Sequence, residues 1–254
     1  CSRGAADRHR GAEAMRIIVV GASVGIGEAL CRALVADGHR VAALSRRIVE
    51  LTRLEEGAGG KLRAIPHDVT AVHGIPGAFA AAVDWLQGCD AIVYNAGVLH
   101  PVEPDEYDTA KDLEVLAVNT VGAVAWLNEA ATVFQRQRSG VIVGVGSVAG
   151  DRGRVTHPAY GASKAAIHSF LESLRNRLSG LGVRVVTIKP GPVNTAMTAG
   201  RAGLPFMVEP DVVARAIVRS LTSGPEVVYV APIWRWILLV IRHIPSLIFR
   251  RLRI

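Results

Sequence analysis

Short apolar runs alternate with longer amphipathic segments from Ile17 to Val230, and that alternation leaves few folds open. Ile17–Val20, Val41–Leu44, Leu62–Ile65, Ala91–Tyr94, Val141–Val145, Val183–Ile188 and Val227–Val230 are the candidate strands, apolar apart from Arg63, Arg184 and Thr187, as expected of a parallel sheet covered on both faces. Between them, Gly25–Asp37, Pro76–Gln87, Thr109–Arg138 with some interruption, Tyr160–Leu178 and Pro210–Leu221 read as helices. Gly38 and Gly180 fall just past helix ends, where a left-handed cap is wanted. Strand, helix, strand in repetition predicts a three-layer α/β fold: a doubly wound, seven-stranded parallel sheet with helices on both sides. Such sheets bind ligands in the loops that follow the carboxyl ends of the strands, so those loops are where chemistry is expected.

The first of those loops is Gly21-Ala22-Ser23-Val24-Gly25-Ile26-Gly27, set between a strand and a helix. Glycines there permit a tight turn and let backbone N–H groups and a helix N-terminus approach a pyrophosphate, the arrangement of a dinucleotide site. The second strand ends in Ser45-Arg46-Arg47, where an NAD site usually has an acid that holds the ribose hydroxyls. Two guanidinium groups and a hydroxyl suit a 2′-phosphate, so NADP(H) is the expected cofactor rather than NAD(H).

Tyr160-Gly161-Ala162-Ser163-Lys164 puts a phenol and an ammonium four residues apart on one helix face. A tyrosine titrates near 10, and a fixed cation beside it stabilises the phenolate; lowering that value by about three units takes ~4 kcal/mol, within reach of one lysine and a cationic ring. Tyr160 is therefore a candidate proton donor at neutral pH.

Taken together these motifs resemble the short-chain dehydrogenase/reductase family, and the likeness runs from Arg16 to about Val230. The resemblance implies a Rossmann-type catalytic domain over residues 15–231 and an oxidoreductase acting on CH–OH groups. It implies cofactor contacts at Gly21, Gly25 and Gly27, an adenine contact at Asp68 with Val69 beside it, and the Asn95-Ala96-Gly97 turn. Pro190-Gly191, Val193 and Thr195 match the positions that line the nicotinamide side. The tetrad it implies is Asn119, Ser147, Tyr160 and Lys164: Ser147 donating to the substrate oxygen, Tyr160 giving the proton, Lys164 lowering its pKa and holding the ribose. Asn119 would anchor a water leading from Lys164 to solvent. Val20 stands where the family commonly has threonine, which removes one local hydrogen bond. His100 and His157 have no required role and read as rim residues. A second class of function, a non-catalytic cofactor-sensing scaffold, has no need of the Tyr/Lys pair.

The net charge of +7 could suggest nucleic acid, but five of the arginines lie after Ala231 with no acid among them, so the body is nearly neutral and no nucleic-acid partner is expected. Three cysteines without metal-ligand spacing argue for a reducing compartment, no zinc site and a cytoplasmic location. Residues 1–14 are small and polar and are expected to be disordered, with Met15 as the natural start.

The last segment, residues 232–254, reads as a basic amphipathic helix. Arg235, Arg242, Ser246, Arg250 and Arg253 fall on one side, with Trp234, Ile237, Leu238, Ile241 and Ile248 away from it. A helix over Ile233–Ile244 is about 18 Å long, short of the roughly 30 Å hydrocarbon core. It suits the membrane interface, and burial in a homo-oligomer is the competing reading. The tail also resembles that of reductases that complete epimerisation of a polyprenyl-phosphoryl pentose through a 2-keto intermediate. Met197, Leu204, Phe206 and Met207, in the segment Ala196–Glu209, suit an apolar or lipid-linked substrate.

Overall fold

The computed structural model describes residues 14–103, 105–200 and 203–252. The expected strands form one sheet: β1 (Arg16–Val20), β2 (Arg40–Ser45), β3 (Leu62–Pro66), β4 (Ala91–Tyr94), β5 (Gly140–Val145), β6 (Val183–Pro190) and β7 (Val227–Val230). Every pairing is parallel, in the order β3-β2-β1-β4-β5-β6-β7. This is the Rossmann-like α/β sheet. Its chain order reverses between β1 and β4, so the loops leaving those strands part and open a crevice. Register places Val20 beside both Leu44 and Tyr94, which brings the Gly21 turn against Asn95.

The helices are α1 (Ile26–Ala36), α2 (Ile48–Glu56), α3 (Ile75–Leu86), α4 (Thr109–Leu116), α5 (Gly122–Gln137), α6 (Pro158–Leu178), α7 (Pro210–Ser220), α8 (Ile233–His243) and the single turn α9 (Ser246–Phe249). Successive strand residues serve opposite faces: Ile17 and Val19 pack with Leu30 and Leu34 of α1, Leu51 of α2 and Ile217 of α7. Ile18 and Val20 belong with Phe79 of α3, Trp126 of α5 and Leu171 of α6. Both layers exclude water almost completely from β1, β2, β4 and β5, which is why those strands show no polar alternation, while the edge strands β3 and β7 keep exposed positions at Arg63 and Val227.

Two departures have local causes. α2 was not expected, because only Leu51 and Leu54 are buried in it and two apolar positions make no visible stripe. The interruption foreseen in Thr109–Arg138 is one π-helical turn, Ala117–Val121, between α4 and α5. A π turn frees carbonyls from the regular ladder, and the buried Tyr94 hydroxyl donates to one of them, Val118 O, at 2.6 Å.

The tail corrects an expectation. Trp234 and Leu238, placed by periodicity on the side that meets membrane or a second subunit, are buried at 7% and 1% against Val148 of the same chain. The Arg152 guanidinium donates to Ile241 O and, at 2.6 Å, to Ile244 O, which satisfies the open carbonyl end of α8. The same group lies 3.9 Å over the Phe249 ring. The apolar residues left outside include Trp236, Leu239, Val240, Leu247 and Ile248, each at least 45% exposed, and of these Ile248 alone was on the side expected from periodicity. A 100° plot ranks positions by side but does not say which side the body occupies, and Val148 lies nearly ninety positions upstream. No helix among the described residues is long and apolar enough to cross a membrane. The leader expected over residues 1–14 lies outside the described residues up to residue 13, as does Arg253.

Candidate active site

A cavity of about 450 Å³ opens above the carboxyl ends of β1, β4, β5 and β6. One end is the glycine turn. Gly21, at φ +86°, leaves no room for a side chain: a Cβ would sit 2.4 Å from Ala96 N, and one on Gly27 would sit 2.0 Å from Gly21 O. Asn95 Nδ2 pins that Gly21 carbonyl at 2.8 Å, so the Asn-Ala-Gly turn and the glycine turn hold each other in place. Ser45 donates to Ser23 Oγ at 2.8 Å and accepts from Arg47 N at 3.2 Å. With Arg46 and Arg47 these hydroxyls line the far end of the cavity.

At the other end stand Ser147, Tyr160 and Lys164. Ser147 caps the short 3-10 turn Val148–Asp151, its Oγ accepting from Ala149 N at 3.1 Å, and among the described residues its hydroxyl proton has no acceptor. Lys164 is 5% exposed; its Nζ donates to Val145 O at 3.0 Å and lies 5.7 Å from the Tyr160 ring centroid. Burial pushes the lysine's pKa down to about 8. Asn119 occupies the π turn, where its Oδ1 accepts from Val98 N at 2.8 Å and its Nδ2 donates to Val98 O at 3.0 Å and Ser163 Oγ at 3.1 Å. Ser163 in turn donates to Tyr160 O at 2.8 Å, so the asparagine is coupled to the helix carrying the tyrosine.

Behind Ser147 lies a buried polar cluster that the sequence reading missed. The Asp151 side chain, 1% exposed, accepts from Lys189 Nζ at 2.6 Å and Tyr229 OH at 2.7 Å, with His168 Nδ1 at 3.3 Å and Arg242 at 4.0 Å. Burial alone would raise this carboxyl, but the bonds from His168, Lys189 and Tyr229 hold it well below the usual carboxylate range. Burial likewise lowers the His168 pKa, and its Nε2 accepts from Ser147 N at 3.4 Å. A neutral imidazole with its proton on Nδ1 satisfies both contacts.

The short chain dehydrogenase profile matches residues 15–202, most of the chain. The chain belongs to the short-chain dehydrogenase family. This dehydrogenase is 35% identical over 211 residues to an uncharacterised oxidoreductase of Myxococcus xanthus, covering 82% of its own length and 83% of the relative's. It is 31% identical over 211 residues to one of Staphylococcus epidermidis, covering 83% of its own length and 92% of the relative's. Among solved structures it resembles the closed form of a serine dehydrogenase complexed with NADP+, with a TM-score of 0.77, 27% identity, and coverage of 84% of this chain and 93% of that one. The dehydrogenase is thus an oxidoreductase of the type that acts on CH–OH groups and uses a nicotinamide dinucleotide.

The cavity fits that cofactor, because the glycines and the Asn95 turn form a cradle that any Cβ at Gly21 or Gly27 would fill. The structure places Gly21, Ser23, Gly25, Ile26, Ser45, Arg46, Arg47, Val69, Asn95, Ala96, Gly97, Ser147, Tyr160, Lys164, Pro190, Gly191, Val193 and Thr195 on its lining. Gly27 and Asn119 lie beneath it as supports. Asp68 does not line it: its carboxylate is engaged by Thr70 N at 2.9 Å, Thr70 Oγ1 at 2.8 Å and Arg46 at 3.6 Å. Trp234 and Arg154 do line it, and neither was foreseen. The Trp234 indole packs so closely on Gly191 that a Cβ there would meet Nε1 at 2.1 Å, and it meets Phe206 edge-on at 5.9 Å. The tail therefore forms part of the dehydrogenase's own cavity wall.

Proposed function

We propose that this dehydrogenase uses NADP(H) to interconvert a ketone and a secondary alcohol on an apolar or lipid-linked substrate, at the cytoplasmic face of a membrane. The observation that carries the reading is that Ser147, Tyr160 and Lys164 share one cavity with Met197, Leu204, Pro205 and Trp234. The bound nicotinamide supplies or accepts the hydride. In the reducing direction negative charge grows on the carbonyl oxygen, and the unused Ser147 proton is available to bond it. Tyr160 passes its phenolic proton to that oxygen, while the Lys164 ammonium stabilises the phenolate left behind and holds the ribose. Asn119, clamped to Val98 and Ser163, fixes the start of α6 and anchors the water through which Lys164 exchanges protons with solvent. Asp68 remains the proposed adenine contact, from its place beside Arg46. The test is NADPH oxidation over sterol, acyl, quinone-like and polyprenyl-linked ketones with vesicles present. Oxidation no faster than the ketone-free rate with every one of them would reject the reading.

NADP(H) is favoured over NAD(H) by Ser45, Arg46 and Arg47, with no acid at the end of β2. Replacing Arg46 by Asp exchanges a charge-assisted bond for repulsion, so NADPH affinity is expected to fall by about 100-fold and NADH affinity far less. Fluorescence titration of both cofactors reads this directly, and equal losses would remove the 2′-phosphate from these residues.

The membrane part of the proposal rests on the outer face of the tail, where Trp236, Val240 and Leu247 are 61%, 67% and 65% exposed beside Arg235, Arg242, Arg250 and Arg251. Deleting the tail would also strip Trp234 and Leu238 from the body, so point changes are the cleaner probe. The Trp236→Ser, Val240→Ser, Leu247→Ser triple variant is expected to lose at least about 100-fold in affinity for vesicles rich in anionic lipid, at roughly 1.5–3 kcal/mol per buried apolar side chain. Unchanged co-sedimentation would instead favour an interface between subunits. The tail's resemblance to polyprenyl-phosphoryl 2-keto-pentose reductases gives the narrower form of this reading. Homo-oligomerisation is a companion proposal, with Leu113 and Val121, 60% and 52% exposed, as its apolar surface and a monomeric mass in light scattering as its refutation.

A further inference from the structure

The loop between Ser147 and Tyr160 brings one more charged group, Arg154, to the lining of the cavity. Arg154 lines it and is only partly exposed, yet among the described residues its guanidinium makes no hydrogen bond and no ion pair. Its one electrostatic partner, Asp151, is already taken by Lys189, Tyr229 and His168. The other cations on the lining have different work: Arg46 and Arg47 stand at the end of β2, and Lys164 is bonded to Val145 O. A guanidinium carries five donors that must be satisfied, and withdrawing it partly from water without an acceptor is costly. Burial accordingly lowers its pKa. The same lining carries Val148, Met197, Leu204 and Trp234, an apolar wall that a small polar metabolite would leave unmatched.

We infer that Arg154 is a specificity-determining residue that binds an anionic group, a phosphate or a carboxylate, on an otherwise apolar substrate. Such a group takes a bidentate pair from the planar guanidinium, which fixes the ketone's reach to Ser147 and Tyr160 while the hydrocarbon lies along Met197, Leu204 and Trp234. This deepens the proposed function and rests on it for the word substrate, but its test does not require turnover.

Octyl phosphate, octanoate and octanol are titrated calorimetrically into the full-length protein loaded with NADP+. At least one anion is expected to bind about 10-fold or more tighter than octanol, and whichever of the two is tighter names the headgroup class. Arg154→Met should abolish that advantage, Arg154→Lys should restore part of it, and NADP+ affinity should hold in both as evidence of an intact fold. Octanol binding as tightly as both anions, or an Arg154→Met protein that keeps the anion preference, overturns the inference. A protein that binds octyl phosphate through Arg154 yet reduces no ketone keeps this inference and loses the proposed activity.

Discussion

Replacing Tyr160 by phenylalanine is expected to cut ketone reduction by about 10³-fold while NADPH affinity stays within about threefold. The ring that lines the cavity remains, so the substrate and cofactor surfaces are nearly unchanged; what disappears is the phenolic proton placed beside the buried Lys164. Ser147 can still bond the oxygen in this variant, which sets a floor to the residual rate. The separation between rate and affinity is the informative part. A parallel loss of NADPH binding would mean that the tyrosine works by holding the cofactor, and wild-type turnover would remove it from the chemistry. Single-turnover oxidation of NADPH, with fluorescence titration alongside, measures both.

The second large effect concerns folding. Asp151→Ala is expected to lower the unfolding free energy by about 3–5 kcal/mol, because it leaves the Lys189 ammonium buried without its counter-ion. The Lys189 side chain is only 10% exposed, and the Tyr229 hydroxyl and His168 lose the same acceptor. The sign with pH is set by the depressed folded pKa of Asp151. Its contribution is complete above the unfolded carboxyl's pKa of about 3.9 and is withdrawn as pH falls toward the folded value, so wild type should lose stability below about pH 4 more steeply than the variant. Urea melts at pH 7 and pH 3 check both statements. A difference under about 1 kcal/mol at pH 7 would mean that Lys189 finds water or another partner.

Much of this molecule was legible because its rules are local. A strand buried on both faces has to be apolar throughout, a glycine turn that touches Ala96 has to lack side chains, and a Tyr/Lys pair at four residues has to share a helix face. Gly21, Gly25, Arg46, Arg47, Tyr160 and Lys164 on the lining follow from such spacings, whereas Asn95, Ser147, Pro190, Val193 and Thr195 were read from the family resemblance. The π turn at Asn119 was visible only as an interruption, since the Tyr94 hydroxyl that bonds its Val118 carbonyl comes from β4, far back in the chain. Asp151, His168, Lys189 and Tyr229 come from four separate elements, and no spacing announces that they meet. Trp234 was misplaced for the same reason: its partners, Gly191 and Phe206, are contributed by loops far away in the chain.

α8 presents Trp234 to the reaction chamber and Trp236, two positions on, to the outside. Where that outer side is seated in a leaflet, only the girth of a single helix, about 10–12 Å, separates the acyl region from the hydride-transfer centre. On the proposed function, a ketone dissolved in lipid would then lie within one helix width of Tyr160 before meeting bulk water. Its Michaelis constant would be a mole fraction in the bilayer, so diluting the ketone with inert lipid at fixed total volume is expected to slow the enzyme, and adding buffer is not.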